Sequence, residues 1–209
     1  MEIAKVMHYL HRLAPFAVLW MVVDVNYFVR AFWTIVKTKL TRSRTPPGPF
    51  VSSTFWSVCL PMDLDCNRHM NNSRYLRECD FARFQFFLES HLFDVVKKLG
   101  GSIVNRGNNI RYRRSILPLD VYKIQTKLLF WDQKNFYIEQ QMIRRSDDFV
   151  CAVSYVSLAV ISKDKSISPQ QVIDSMYGKI EDPEAPPEIA AWIKSTEHSS
   201  QAFFRNTQI

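Results

Sequence analysis

The stretch Met62-Asp63-Leu64-Asp65-Cys66-Asn67-Arg68-His69-Met70-Asn71-Asn72 holds two carboxylates, one imidazole and three asparagines within eleven residues. An apolar core cannot absorb them, because each buried polar group needs a partner of its own. The run therefore reads as the polar wall of a cleft, a loop that leads into a helix. Asn71 suits the start of that helix, since its side-chain oxygen can accept from an unpaired backbone N–H of the first turn.

From Asn72 to about Leu99 the pattern is helical, and Tyr75, Leu76, Cys79, Phe81, Ala82, Phe84 and the apolar residues beyond them spread around most of the circumference. That distribution predicts a buried helix, stopped by Gly100-Gly101 in a left-handed cap. Upstream, Ser53 to Leu60 is a short β-rich run. Downstream, strands are predicted over Ile103–Leu117, Val121–Phe130, Phe136–Arg145 and Phe149–Ile161. Alternation is clear in Val121–Phe130, with Tyr122, Ile124, Thr126 and Leu128 on one side and lysines and glutamine on the other. Val150–Ile161 is apolar on both faces, as in a strand at the middle of a covered sheet or at a subunit contact. Ser168–Tyr177 and Pro187–Phe204 read as C-terminal helices.

The chain has 209 residues with a hydrophobic fraction of 47%, enough for one main domain with a real core. Its net charge is +7, but the basic residues are scattered rather than gathered in a stripe with aromatic platforms, which argues against nucleic acid. Cysteines at 59, 66, 79 and 151 form no Cys-x-x-Cys pair and read as free thiols of a reducing compartment. Asp65, Cys66, His69 and Cys79 match no closed four-ligand spacing, so neither zinc nor another metal is expected. Asn71-Asn72-Ser73 has the form of a glycosylation sequon, yet a glycan there would block the polar loop.

Leu13 to Val36 is almost wholly apolar and aromatic, broken by Asp24, Asn26 and Arg30. No small-x-small cleavage site follows it, so an uncleaved membrane anchor is expected rather than a removed signal peptide. A span needs about 20 apolar residues, and a central Asp costs about 2.5 to 3.5 kcal/mol. An in-plane interfacial helix and a helix docked on its own domain are the other two readings. Lys5 and Arg12 precede the segment, whereas Arg30, Lys37, Lys39, Arg42 and Arg44 lie within its end or beyond it, which places the folded domain in the cytosol by the positive-inside rule. The expected organisation is an anchor segment over 1–44, a Pro/Gly linker at 45–50, the main domain over 51–163 and a helical extension over 164–209.

Strand, long buried helix, then four antiparallel strands, with an Asp-rich loop at the helix start, resembles the hotdog fold of acyl thioesterases. Asp63-x-Asp65 followed by His69-x-Asn71-Asn72-x-x-Tyr75-Leu76 resembles the signature of the hydroxybenzoyl-CoA thioesterase superfamily. The resemblance implies an α+β domain whose five-stranded antiparallel sheet wraps a hydrophobic helix. It also implies hydrolysis of a fatty-acyl thioester of CoA or a carrier protein, without a cofactor, by at least a homodimer. The membrane it suggests is the endoplasmic reticulum, a secreted or lumenal placement being the alternative.

On the same resemblance Asp65 is the catalytic carboxylate, with Asn67 and His69 as helpers and Asp80 as the second, helical acid used by some bacterial members. A salt bridge with Arg83 or Arg77 is the competing role for Asp80, and loop shaping is the role expected of Asp63. Asn71, Asn72, Arg111, Arg113 and Ser115 are the candidate substrate-binding residues, with Arg106 and Arg114 as further cations for a CoA or carrier arm. Free backbone N–H groups at Met70 to Ser73 are expected to hold the oxyanion. Two departures stand out. Tyr112-Arg113-Arg114-Ser115 puts serine where plant acyl-carrier thioesterases carry an acid, and Arg68 stands where bacterial members often have glycine. The first opens the alternative of a non-catalytic acyl-CoA-binding or scaffolding member.

Overall fold

The computed structural model describes residues 5, 7–8, 11–12, 14–16, 24–163, 166–181 and 183–206. The alternation read in the third strand decides how the sheet meets its helix. Tyr122, Ile124, Thr126 and Leu128 are all buried, and the residues between them are less so. Strands β1 (Ser53–Val58), β2 (Ser102–Tyr112), β3 (Val121–Trp131), β4 (Asn135–Arg144) and β5 (Val150–Ile161) form one antiparallel sheet in the order β1-β3-β4-β5-β2. Helices α1 (Val25–Thr41), α2 (Asn72–Glu89), α3 (Leu92–Lys98), α4 (Pro169–Tyr177) and α5 (Pro187–Asn206) pack around it. The long helix α2 buries Tyr75, Cys79, Ala82 and Phe86, and these pack with inward residues of the strands.

The core has two apolar halves. One gathers Met70, Tyr75, Cys79, Tyr122 and Met142 near the polar loop, and the other gathers Phe86, Leu128, Phe136, Ile138 and Val156 at the far end. Between them Thr126, Gln140 and Ser154 sit side by side in the register of β3, β4 and β5. Gln140 donates to the Cys79 carbonyl and to Thr126, and accepts from the buried Arg83 at 2.7 Å. These bonds satisfy polar groups that would otherwise be costly inside.

Two expectations are corrected. The helix from Asn72 does not run unbroken to Leu99: it stops at Ser90, and His91 takes a left-handed backbone, φ 61°, before α3 begins. The turn lets Leu92 and Val96 join the far half of the core. Gly100, with φ 78°, then ends α3 as expected. Strand β2 ends at Tyr112 rather than Leu117, because the chain folds back so that Met70 N–H donates to the Ile116 carbonyl and Leu119 N–H to Cys59. Pro118, which has no N–H to give, falls inside this return.

The apolar N-terminal segment is described only in part. Its later part is a helix docked on the domain: Asp24 caps α1 by accepting from Tyr27 N–H, and Ala31, Thr34 and Thr38 are buried. No helix among the described residues is long and apolar enough to cross a membrane. Of the expected span, residues 13 and 17–23 lie outside the described residues. At the other terminus, α5 lays Trp192 edge-on against Tyr137 of β4, 6.1 Å between ring centres. This contact covers part of the outer face of the sheet at β4.

Candidate active site

Backbone bonds shape the polar loop before any side chain acts. Asp65 N–H donates to the His69 carbonyl and Arg68 N–H to the Asp65 carbonyl, both at 3.0 Å, so residues 65–69 close into a tight turn. Arg68 sits at its tip with φ 60°, a left-handed conformation that costs an ordinary L-residue about 1–2 kcal/mol. The position that resemblance assigns to glycine is thus one where glycine would be relaxed.

The loop is tied to the body by Asp63. Its carboxylate is wholly buried, accepts from Leu60 N–H at 3.0 Å and from Arg77 at 2.7 Å, while its carbonyl accepts from Asn71 N–H. These bonds are those of a loop-shaping residue. Asn71 caps α2, its Oδ1 accepting from Ser73 N–H at 2.9 Å.

Asp65 remains accessible, its side chain 18% exposed. One carboxylate oxygen accepts from Asn67 N–H at 2.9 Å, and the other lies 3.6 Å from His69 Nδ1. The imidazole Nδ1 is also 3.2 Å from the Met70 carbonyl, which fits the tautomer protonated at Nδ1 and leaves Nε2 as the acceptor. A carboxyl group and an imidazole thus stand together at the positive end of an 18-residue helix.

The first turn offers fewer donors than its sequence suggested. Met70 N–H goes to Ile116, Asn71 N–H to Asp63 and Ser73 N–H to the Asn71 side chain. Of the four, only Asn72 N–H has no acceptor among the described residues. That single group points from an exposed position beside the loop.

The remaining candidates divide by place. Ser115 lies next to Ile116, whose backbone is joined to Met70, so the return after β2 brings it against the loop. Tyr112 packs on Tyr75 and donates to the Asn72 carbonyl, which aligns the end of β2 with the start of α2. Arg111, one residue earlier, points to the opposite, outer face of the sheet. Arg113 and Arg114 both stand over the Phe149 ring, at 5.0 and 3.8 Å. Asp80 is joined to Arg83 one turn later in α2 and keeps its side chain 40% exposed. Two clefts, one between α1 and β1 and one between the sheet and α5, include none of Asp65, Asn67 and His69. Chemistry rather than concavity therefore marks the site within one chain.

One cluster was not foreseen. Glu78 is fully buried and is held by both guanidinium nitrogens of Arg30, by the Ser57 hydroxyl at 2.9 Å and by the Tyr122 hydroxyl at 3.0 Å. Burial, with the glutamate close by, pushes the Tyr122 hydroxyl well above its ordinary pKa. An acid sharing a helix face with Tyr75, Phe81 and Ala82 was the available signal, since such residues are almost never buried unpaired.

Comparison with known proteins agrees with this architecture. The thioesterase-like superfamily matches residues 59–193. A Xenopus laevis protein called Protein THEM6 is 42% identical over 186 residues, 88% of this chain and 87% of its own length. A Drosophila melanogaster protein of the same name is 37% identical, covering 88% of this chain and 93% of that one. Among solved structures, the probable thioesterase YbaW of Escherichia coli superposes with a TM-score of 0.56 at 21% identity, over 60% of this chain and 96% of its own. SAV2348 of Staphylococcus aureus, solved in complex with CoA, gives 0.52 at 13% identity, over 70% and 96%. With the sheet wrapped around α2 and a match spanning well over half of its length, this chain belongs to the thioesterase-like superfamily and has the hotdog fold.

Proposed function

We propose that the protein hydrolyses a fatty-acyl thioester of CoA, or of a carrier protein, at a membrane, with Asp65 as the catalytic carboxylate. The observation that carries this reading is the placement of Asp65 against His69 at the N-terminus of α2, accessible and held by Asn67 N–H. Asp65 takes a proton from water as the water oxygen adds to the thioester carbonyl carbon. Negative charge then grows on the carbonyl oxygen, where Asn72 N–H and the helix dipole stabilise it. The C–S bond breaks, and the departing thiolate takes up a proton to leave as free thiol. His69, through Nε2, shares this proton traffic.

A second copy is expected to complete the site. Leu76, Asp80 and Phe84, four residues apart on α2, form a half-exposed strip, and β2 ends the sheet with one edge unpaired. A dimer closing over both would bring one copy's Asp80 and its neighbours toward the other's loop. The N-terminal segment holds the assembly at a membrane, with the domain facing the cytosol and the endoplasmic reticulum as the site. Purified protein offered acyl-CoA substrates of graded chain length should release free thiol. No turnover above buffer at any chain length rejects the reading.

Two observations favour a second reading, acyl-CoA binding without turnover: Ser115 in place of an acid, and the loss of three of four expected oxyanion donors to internal bonds. Saturable acyl-CoA binding with no thiol release supports that version.

A further inference from the structure

A surface helix normally turns its apolar stripe toward the core. Helix α1 does the reverse. Its inward side carries Arg30, Ala31, Thr34 and Thr38, the last three buried. Its outward side presents Phe28, Val29, Phe32, Trp33 and Leu40, which are 58 to 81% exposed. At about 100° per residue these five fall within one arc of about 140°. Three ion pairs along the helix fix this rotation: Asp24 with Arg77 at 3.2 Å, Arg30 with Glu78 at 2.6 Å, and Arg42 of the residue after α1 with Asp94 at 2.6 Å. The apolar side is therefore held outward, not left there by a loose fit.

The surroundings of that side name its occupant. Lys37 and Lys39 are exposed on the same helix. Trp56 of the edge strand β1 is 52% exposed and borders one cleft with Trp33 and Lys37. The Trp56 ring has the Lys123 ammonium at 5.9 Å and the Arg145 guanidinium at 5.8 Å. Tryptophans with cations beside a band of Phe and Leu match the headgroup level of a bilayer bearing anionic lipid, where indole rings settle and basic side chains meet phosphate. The sequence running into α1, residues 17–23, contains no charged side chain.

We propose that α1 lies in the plane of an anionic membrane, with its Phe28, Phe32, Trp33 and Leu40 side sunk to the level of the headgroups and Trp56 at the margin. The membrane attachment put forward above is thereby refined, and the inference rests on it only for the presence of a bilayer. It assigns which face of the domain touches lipid, and it is independent of turnover.

The test uses the full chain with vesicles of phosphatidylcholine and phosphatidylserine. Flotation reports attachment, and tryptophan quenching by lipid brominated on its acyl chains reports contact, with acrylamide as the aqueous quencher. The chain has five tryptophans, so Trp33→Phe and Trp56→Phe assign the components. Both positions are exposed and lie away from the polar loop, so the variants should unfold at the wild-type midpoint. The expected result is bromolipid quenching of the wild type that drops in Trp33→Phe and, by a smaller amount, in Trp56→Phe. Protein that floats but shows the same bromolipid quenching with and without Trp33 overturns the in-plane helix and leaves attachment intact. Protein that does not float overturns both. Protection of Trp33 from acrylamide that grows with protein concentration, without vesicles, identifies a second copy as the occupant and also overturns the proposal.

Discussion

Arg30 of α1 grips Glu78 of α2 with both guanidinium nitrogens, at 2.7 and 2.6 Å, and the glutamate side chain has no exposure to solvent. The pair is the buried one among the ion pairs that join the N-terminal helix to the helix at the centre of the fold. Ser57 and Tyr122 donate to the same carboxyl group, and with Arg30 they supply the partners that a buried glutamate needs.

Arg30→Met should therefore lower stability by about 3 kcal/mol, as expected when one partner of a buried pair is removed. Replacing Glu78 by Met as well should restore part of that loss, since no charge is then left unpaired. Urea unfolding midpoints of the two variants and the wild type check both statements. Equal loss in the single and double variants contradicts them.

Thiol chemistry follows from burial. Cys59 and Cys79 are fully buried, and burial pushes both thiols from 9.0 up to about 12, while Cys151 is buried and also raised. Cys66 is the exposed one. At pH 8 a thiol reagent should modify Cys66 alone in the native protein and all four cysteines after unfolding, as counted by mass spectrometry. The raised pKa values also have a linkage consequence. Their contribution to stability is fully present below the unfolded thiol value near 9 and is lost as pH rises through about 12, so the urea midpoint should fall across that window.

Arg68 holds a left-handed backbone at the tip of the polar turn. Arg68→Gly relieves about 1–2 kcal/mol of strain and adds about 0.5–1 kcal/mol of unfolded-state entropy, so it should be neutral to stabilising by about 1 kcal/mol. Arg68→Val, whose branched side chain fits that conformation poorly, should be destabilising. Thermal unfolding of the two variants separates them, and equal effects of Gly and Val would contradict the assignment.

Much of the fold could be read in the chain because local and tertiary signals agreed. Alternation in β3, the Asn71 cap and the Gly100 stop all concern backbone needs that particular side chains meet. The break at His91 escaped because neither Ser90 nor His91 is a usual helix breaker, and only the packing of Leu92 and Val96 demands the turn. For a related reason, helix α1 docked on the domain stood as only one of three readings. Its apolar residues argued for lipid, but its seat on the domain depends on Arg30 meeting Glu78, a contact 48 residues apart in sequence.

The site was legible in its residues and less so in their duties. Asp65 and His69 do come together, whereas the N–H groups of Met70, Asn71 and Ser73 are occupied by carbonyls and a side chain that only the folded return after β2 and the Asp63 turn supply. Arg111 shows the limit most simply: one residue from Tyr112, it faces the other side of the sheet, because side chains alternate along a strand.

Asp65→Asn tests the assignment at its centre. Asparagine keeps an oxygen to accept from Asn67 N–H, so the turn should survive, while the charge that takes up a proton is gone. Steady-state release of free thiol from long-chain acyl-CoA should fall by about 10² to 10⁴-fold relative to the wild type, with the unfolding midpoint unchanged. Wild-type turnover by a folded Asp65→Asn variant would remove Asp65 from the reaction.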